Sequence, residues 1–270
     1  VKSFLDLNMD PLTLPSTTKI NRLLPYWAVL QTDFRQTLRS WVYRLWVLLM
    51  VVAAGGYLLY EFGARNESGI FRNGSVQLKD VFRSVALGSL ALVAVLAVGS
   101  ISSERTTVAD AVLSRGISRY QYFLAKWHSR TTSIVCTFCL FAGIVVTVQM
   151  LLFGRTHDES DVTVRGAVIA TLAIGAGLAV LVSLGVSLGA LTNGTVMGIT
   201  AFWLLLYGGM LVLSLLPEPY PSPGRVLERL QIILRDRYDD GLVWRYLAGA
   251  AGLSFAAATV GAVGFNRKDV

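Results

Sequence analysis

Few residues in this chain have the types and spacing that chemistry needs. Cys136 and Cys139 stand in an apolar run, and His128 and His157 lie on either side of it, far apart. A lone C-x-x-C lacks the second pair that a metal or redox site requires. An intrahelical disulfide at that spacing is geometrically poor. The two thiols therefore read as small buried apolar residues. The methionines are scattered and no His, Cys and carboxylate cluster forms, so no metal site is expected. No G-x-x-x-x-G-K-[ST] occurs to cradle a phosphate, and H-E-x-x-H and a paired-carboxylate site are missing as well. The chain is not expected to be an enzyme by itself. What remains is "SISSERTTVADAVLSRGISRYQYFLAKW", residues 100–127, with charges of both signs between two apolar runs. A loop that only reversed the chain would need a handful of residues.

Within that segment "SERTTVADAVLSRG" reads as a helix. Ser103 can cap it, and Glu104 in the first turn suits the helix dipole. Gly116 stands where a left-handed C-terminal residue is favoured. Val108, Ala111 and Val112 make a narrow apolar face, while Thr106, Thr107, Asp110 and Ser114 make a polar one. Ser118 can cap the next helix, which runs through Tyr120, Tyr122, Phe123 and Trp127 into the following apolar run. Such a surface, with Arg105, Arg115 and Arg119 around it, suits docking to a soluble partner.

The elements that hold this segment are membrane helices. The chain is 54% hydrophobic and only 15% charged, with mean hydropathy +0.57. Soluble domains carry about a quarter charged residues. The net charge of +7 is not interleaved with exposed aromatics, so it points to basic loops at an anionic leaflet and not to nucleic acid. A span needs about 20 apolar residues. Runs at 45–60, 84–103 and 131–154 qualify. The uncharged stretch 166–217 is too long for one crossing, and "TNGT" (192–195) divides it into spans near 167–191 and 196–216. Residues 246–266 make the sixth. Six spans put both ends on one side, and Arg35, Arg39 and Arg44 ahead of the first span place that side in the cytoplasm. The expected fold is all-α: one transmembrane domain over 1–270, with an N-terminal extension (1–18), an interfacial helix (19–42) and a six-helix bundle (43–266).

Two amphipathic segments lie outside the spans. In the first, Leu23, Trp27, Leu30, Phe34, Leu38 and Trp41 recur at helical spacing, with Arg22, Gln31, Asp33, Arg35, Gln36 and Arg39 on the rest. It is expected to lie flat in the interface. In the second, Val226, Leu227, Leu230, Ile233 and Leu234 form a stripe after prolines that end the fifth span, so a short outer helix caps the bundle before the sixth. "RDRYDD" beyond it reads as a solvated charge cluster. Small residues recur four apart at Gly185/Gly189 and Gly194/Gly198, as candidates for helix packing or a dimer interface.

The loop and this architecture together resemble the permease subunits of type-2 ABC exporters. Their cytoplasmic loop between spans two and three reads roughly E-x-x-G-T-L-x-x-L-L-S-x-P-I-S-R, followed by a lysine. Here "ERTTVADAVLSRGISR" supplies Glu104, Leu113, Ser114, Ile117, Ser118 and Arg119 at matching places, and Lys126 follows. Thr107 departs from a frequent Gly and Gly116 from a frequent Pro. The closing "FNRKD" is also similar. The resemblance implies a coupling helix that seats in a separate ATPase subunit, with Glu104, Arg105, Thr106, Asp110, Ser114, Arg115 and Arg119 as coupling residues. It further implies two ATPase subunits that hold ATP and Mg, a second permease chain, identical or homologous, and a place in the cytoplasmic (inner) membrane. Substrate identity is not implied. The rival expectation is a membrane anchor or assembly partner that transports nothing. A secondary carrier is disfavoured, because the uncharged cores of the spans hold no Asp, Glu or His.

Overall fold

A computed structural model describes residues 23–68, 73–102, 117–153, 162–215, 217 and 222–267. Among them the chain is all-α. The helices are α1 (Leu24–Arg39), α2 (Trp41–Ser68), α3 (Gly74–Ser102), α4 (Arg119–Phe153), α5 (Val164–Leu191), α6 (Thr195–Leu215), α7 (Pro223–Glu228), α8 (Leu230–Leu234) and α9 (Asp240–Arg267). Six of them, α2 to α6 and α9, are long and apolar enough to cross a membrane. The protein is a polytopic all-α membrane protein.

The helix punctuation follows the sequence closely. Ser40 breaks α1 from α2, and its hydroxyl accepts the backbone N–H of Tyr43 at 3.2 Å. Ser118 and Gln121 form a reciprocal capping box at the start of α4, at 3.2 and 3.4 Å. Thr163 caps α5 by accepting from Gly166 at 2.9 Å. Residues 192–194 separate α5 from α6, and α6 stops two residues before Pro217. Several helices outrun the apolar runs that mark them. With 35 residues, α4 is about 52 Å long at 1.5 Å per residue, so its first turns stand clear of the hydrocarbon.

The centre of the bundle is α5. It packs on α3, α4, α6, α8 and α9, while α2 leans on α3 and α4. Small residues permit this. A Cβ on Gly185 would sit 2.5 Å from the Ala97 methyl, and one on Gly189 would run into the Val98 carbonyl. Polar pairs cross the same seams. Trp127 donates to Ser183 Oγ at 2.8 Å, Ser187 donates to the Ala257 carbonyl at 2.7 Å, and Trp46 donates to Ser89 Oγ at 2.8 Å. Between membrane helices such bonds contribute about 0.6–2 kcal/mol each. At one edge α6 buries Gly198 and Phe202 and leaves most of its length open.

The bundle has two faces. One carries α1, the end of α3, the start of α4 and the end of α9. The other carries the paired short helices α7 and α8. There Val226, Leu230, Ile233 and Leu234 are buried and Leu227 half-buried, as the stripe requires. The "RDRYDD" cluster is tied down more than a solvated run would be. Arg235 donates to Ser75 Oγ at 3.0 Å, and Arg165 reaches Asp236 at 3.7 Å and Asp240 at 3.1 Å.

Candidate functional site

On the α1 face each end of the predicted coupling segment is bonded to another helix. At the end of α3, Ser102 Oγ lies 2.8 Å from Thr195 Oγ1 at the start of α6. At the start of α4, Arg119 Nη1 donates to the Asn266 carbonyl at 3.3 Å, near the end of α9. A guanidinium there satisfies a terminal carbonyl and complements the negative end of the helix dipole. Tyr122 stacks on Phe265 with centroids 6.1 Å apart, and Phe123 meets the same ring at 6.4 Å. Gly261 lets α9 come this close, since a Cβ on it would meet Ser187 Oγ at 2.5 Å and Phe123 at 2.8 Å. The helices that bracket the segment are thus bonded to the fifth and sixth spans.

Beside this seam α1 is locked to α4 by a buried ionic cluster. Lys126 Nζ donates to Asp33 Oδ1 at 2.6 Å, and Arg130 Nη2 donates to the same oxygen at 3.3 Å. Their exposures are 3%, 2% and 6% for Lys126, Asp33 and Arg130. The ammonium also lies over the Tyr122 ring at 5.7 Å. Two turns back along α1, Tyr26 Oη is 2.8 Å from His128 Nδ1. Burial raises the Tyr26 pKa above the ordinary phenol value, and which group donates is set by the His128 tautomer. The expectation that Asp33 belongs to an outer polar face is corrected here. The inward stripe of α1 includes Tyr26, Asp33 and Thr37, one position away from the apolar stripe. Trp27 and Trp41, 60% and 75% exposed, point away from the bundle.

Of the predicted coupling residues, Arg119 is placed as described. Glu104, Arg105, Thr106, Asp110, Ser114 and Arg115 lie outside the described residues, as do His157 and residues 1–22. Gly185 and Gly189 face α3 within the chain. Gly198 meets Val98 and Thr192, and Gly194 has nothing within 4 Å of its Cβ direction. Cys139 is half-buried, but Cys136 is exposed on the bundle surface, so the reading of both thiols as buried is corrected. Among the described residues no three metal-ligating side chains cluster.

A second feature lies toward the α7–α8 face. An apolar cleft of about 360 Å³ runs between α3, α5, α6 and α9, lined by residues such as Leu90, Leu178, Leu205, Leu213 and Leu253. Little packing joins α6 to α9. Leu205, Met210 and Leu253 line the cleft and are themselves exposed, so it opens between those two helices. Against it lies a smaller cavity of about 220 Å³ with Arg225, Arg229, Arg237 and Asp239 in its wall. Ala173, Val226 and Tyr246 line both. No sequence motif marked this arrangement; the available signal was a run of arginines on the stripe that caps the bundle.

No protein-family model matches the chain, and no curated protein shows significant similarity to it.

Proposed function

We propose that this chain is the transmembrane permease subunit of an ATP-driven transporter of the type-2 ABC exporter kind, driven through residues 103–119 by a separate ATPase. The observation that carries the reading is the anchoring of that segment. Its flanks are hydrogen-bonded to α6 through Ser102–Thr195 and to α9 through Arg119–Asn266. Those two helices are the ones between which the apolar cleft opens. A displacement of the segment by ATPase closure would therefore reach the ends of α6 and α9 and change their separation. The ionic lock at Asp33 keeps α1 and α4 moving as one body. ATP and Mg would be held by the partner, two ATPase chains and two permease chains would complete the assembly, and the α1 face would be cytoplasmic.

The test is purification in mild detergent followed by reconstitution. A P-loop ATPase should co-purify, and its activity should depend on this chain. Glu104→Ala should insert at normal level and lose transport. Wild-type transport and ATPase stimulation in that variant would refute coupling through this segment.

A further inference from the structure

The cleft and the cavity beside it differ sharply in chemistry. The first is lined almost wholly by aliphatic side chains. The second places three arginines against one carboxylate. Among the described residues neither Arg229 nor Arg237 makes a side-chain hydrogen bond or ion pair. Asp239 shares the cavity and offsets only one of its three positive charges. Asp236 and Asp240 are taken by Arg165, and Asp239 accepts the Gly241 N–H at 2.9 Å. Arg245, in the wall of the cleft, is likewise without an ion pair among the described residues.

Tyr246 stands where the two cavities meet. It is 7% exposed, and its hydroxyl makes no hydrogen bond among the described residues. It reaches over Gly177, where a Cβ would lie 3.1 Å from the oxygen. A hydroxyl in apolar surroundings costs free energy unless something bonds to it. Guanidinium groups bind phosphate and carboxylate oxygens in forked geometry. An aliphatic cleft open to lipid accepts hydrocarbon.

We propose that these two cavities form one site for an anionic amphiphile, its hydrocarbon tail in the cleft between α6 and α9 and its anionic head at Arg229 and Arg237, with Tyr246 donating to an oxygen at the junction. As a transport substrate this ligand class rests on the permease reading; its binding to the chain does not.

The experiment uses the full chain in a nonionic detergent, with affinities taken from native mass spectrometry and thermal shift. Three probes separate the terms: 1-palmitoyl lysophosphatidic acid, 1-palmitoyl lysophosphatidylcholine with the same tail and a zwitterionic head, and glycerol 3-phosphate with no tail. The first should bind about tenfold or more tighter than the second, because its phosphate monoester carries more negative charge and no choline cation to offset it at the arginines. The third should show no saturable binding. R229Q/R237Q should erase the preference between the two lysolipids, weakening the first probe far more than the second, whose phosphodiester also meets the arginines but carries its own choline cation. Tyr246→Phe should weaken the first probe by a few-fold. Equal affinities for both lysolipids, or a preference that survives R229Q/R237Q, would overturn the proposal, leaving a cleft that takes bilayer hydrocarbon alone. Tight binding of glycerol 3-phosphate would overturn it too, by showing an anion site that needs no tail. Loss of lysolipid preference with a P-loop ATPase still bound refutes this inference alone. Preference without any ATPase partner refutes the permease reading alone.

Discussion

At the scale of single residues, Asp33 is the most exacting position. It is the shared acceptor for two buried cations, and its Oδ2 and the Arg130 Nε have no hydrogen-bond partner among the described residues. Removing one partner of a buried pair leaves a charge unmatched and costs about 3–5 kcal/mol. Asp33→Ala should therefore lower unfolding stability in detergent by roughly that amount. Arg35→Ala, two residues along on the exposed side, should shift it by less than about 0.5 kcal/mol. Equal shifts in a denaturant titration would mean the cluster does not hold α1. The glycines divide the same way. Gly189→Val drives a side chain into the Val98 carbonyl and should destabilise by about 1–3 kcal/mol. Gly194→Ala meets open space and should be neutral. If Gly194→Leu instead alters the oligomeric mass, that glycine serves a chain–chain contact. The sequence showed both small-residue pairs but could not say which members touch α3. It also set Asp33 on the wrong side, because one residue of offset turns a helix by about 100° and two neighbouring stripes compete.

At the scale of elements, starts and stops were the most legible feature. Ser118, Pro217 and the Thr192–Thr195 turn act where their chemistry says they should. Lengths were less legible. Hydropathy marks the residues that suit hydrocarbon, while a helix continues as far as its backbone bonds and caps allow. Hence α3 begins at Gly74, ten residues before the apolar run, and α4 carries its charged first turns through Arg130. What no periodicity could reveal is which helix ends meet. The Arg119 bond to Asn266 joins residues 147 apart. If that bond holds the last turn of α9, Arg119→Ala should speed amide exchange at residues 262–267 about fivefold, as loss of roughly 1 kcal/mol implies. Exchange at the start of α9, around Trp244, should stay as it was. Unchanged exchange at 262–267 would mean the aromatic stack of Tyr122, Phe123 and Phe265 alone holds that end.

At the scale of the whole molecule, the two faces carry different chemistry, and this makes their orientation testable. The α1 face holds Arg35, Arg39 and Arg44 close to the first span, the pattern that cytoplasmic segments follow. The α7–α8 face would then lie outside. Ser222, just ahead of α7, caps that helix and is 7% exposed, so a cysteine there would react slowly whatever the topology. Glu228 on α7 is exposed and is the better position. Arg35 on α1 is its exposed counterpart on the other face. The native thiols need removal first, since Cys136 lies on the surface. In a Cys136→Ala/Cys139→Ala background, Glu228→Cys should react with a membrane-impermeant maleimide on intact cells. Arg35→Cys should react only after the membrane is opened. The reverse pattern would invert the molecule, put the arginine cavity on the cytoplasmic side, and leave residues 103–119 facing away from any cytoplasmic ATPase.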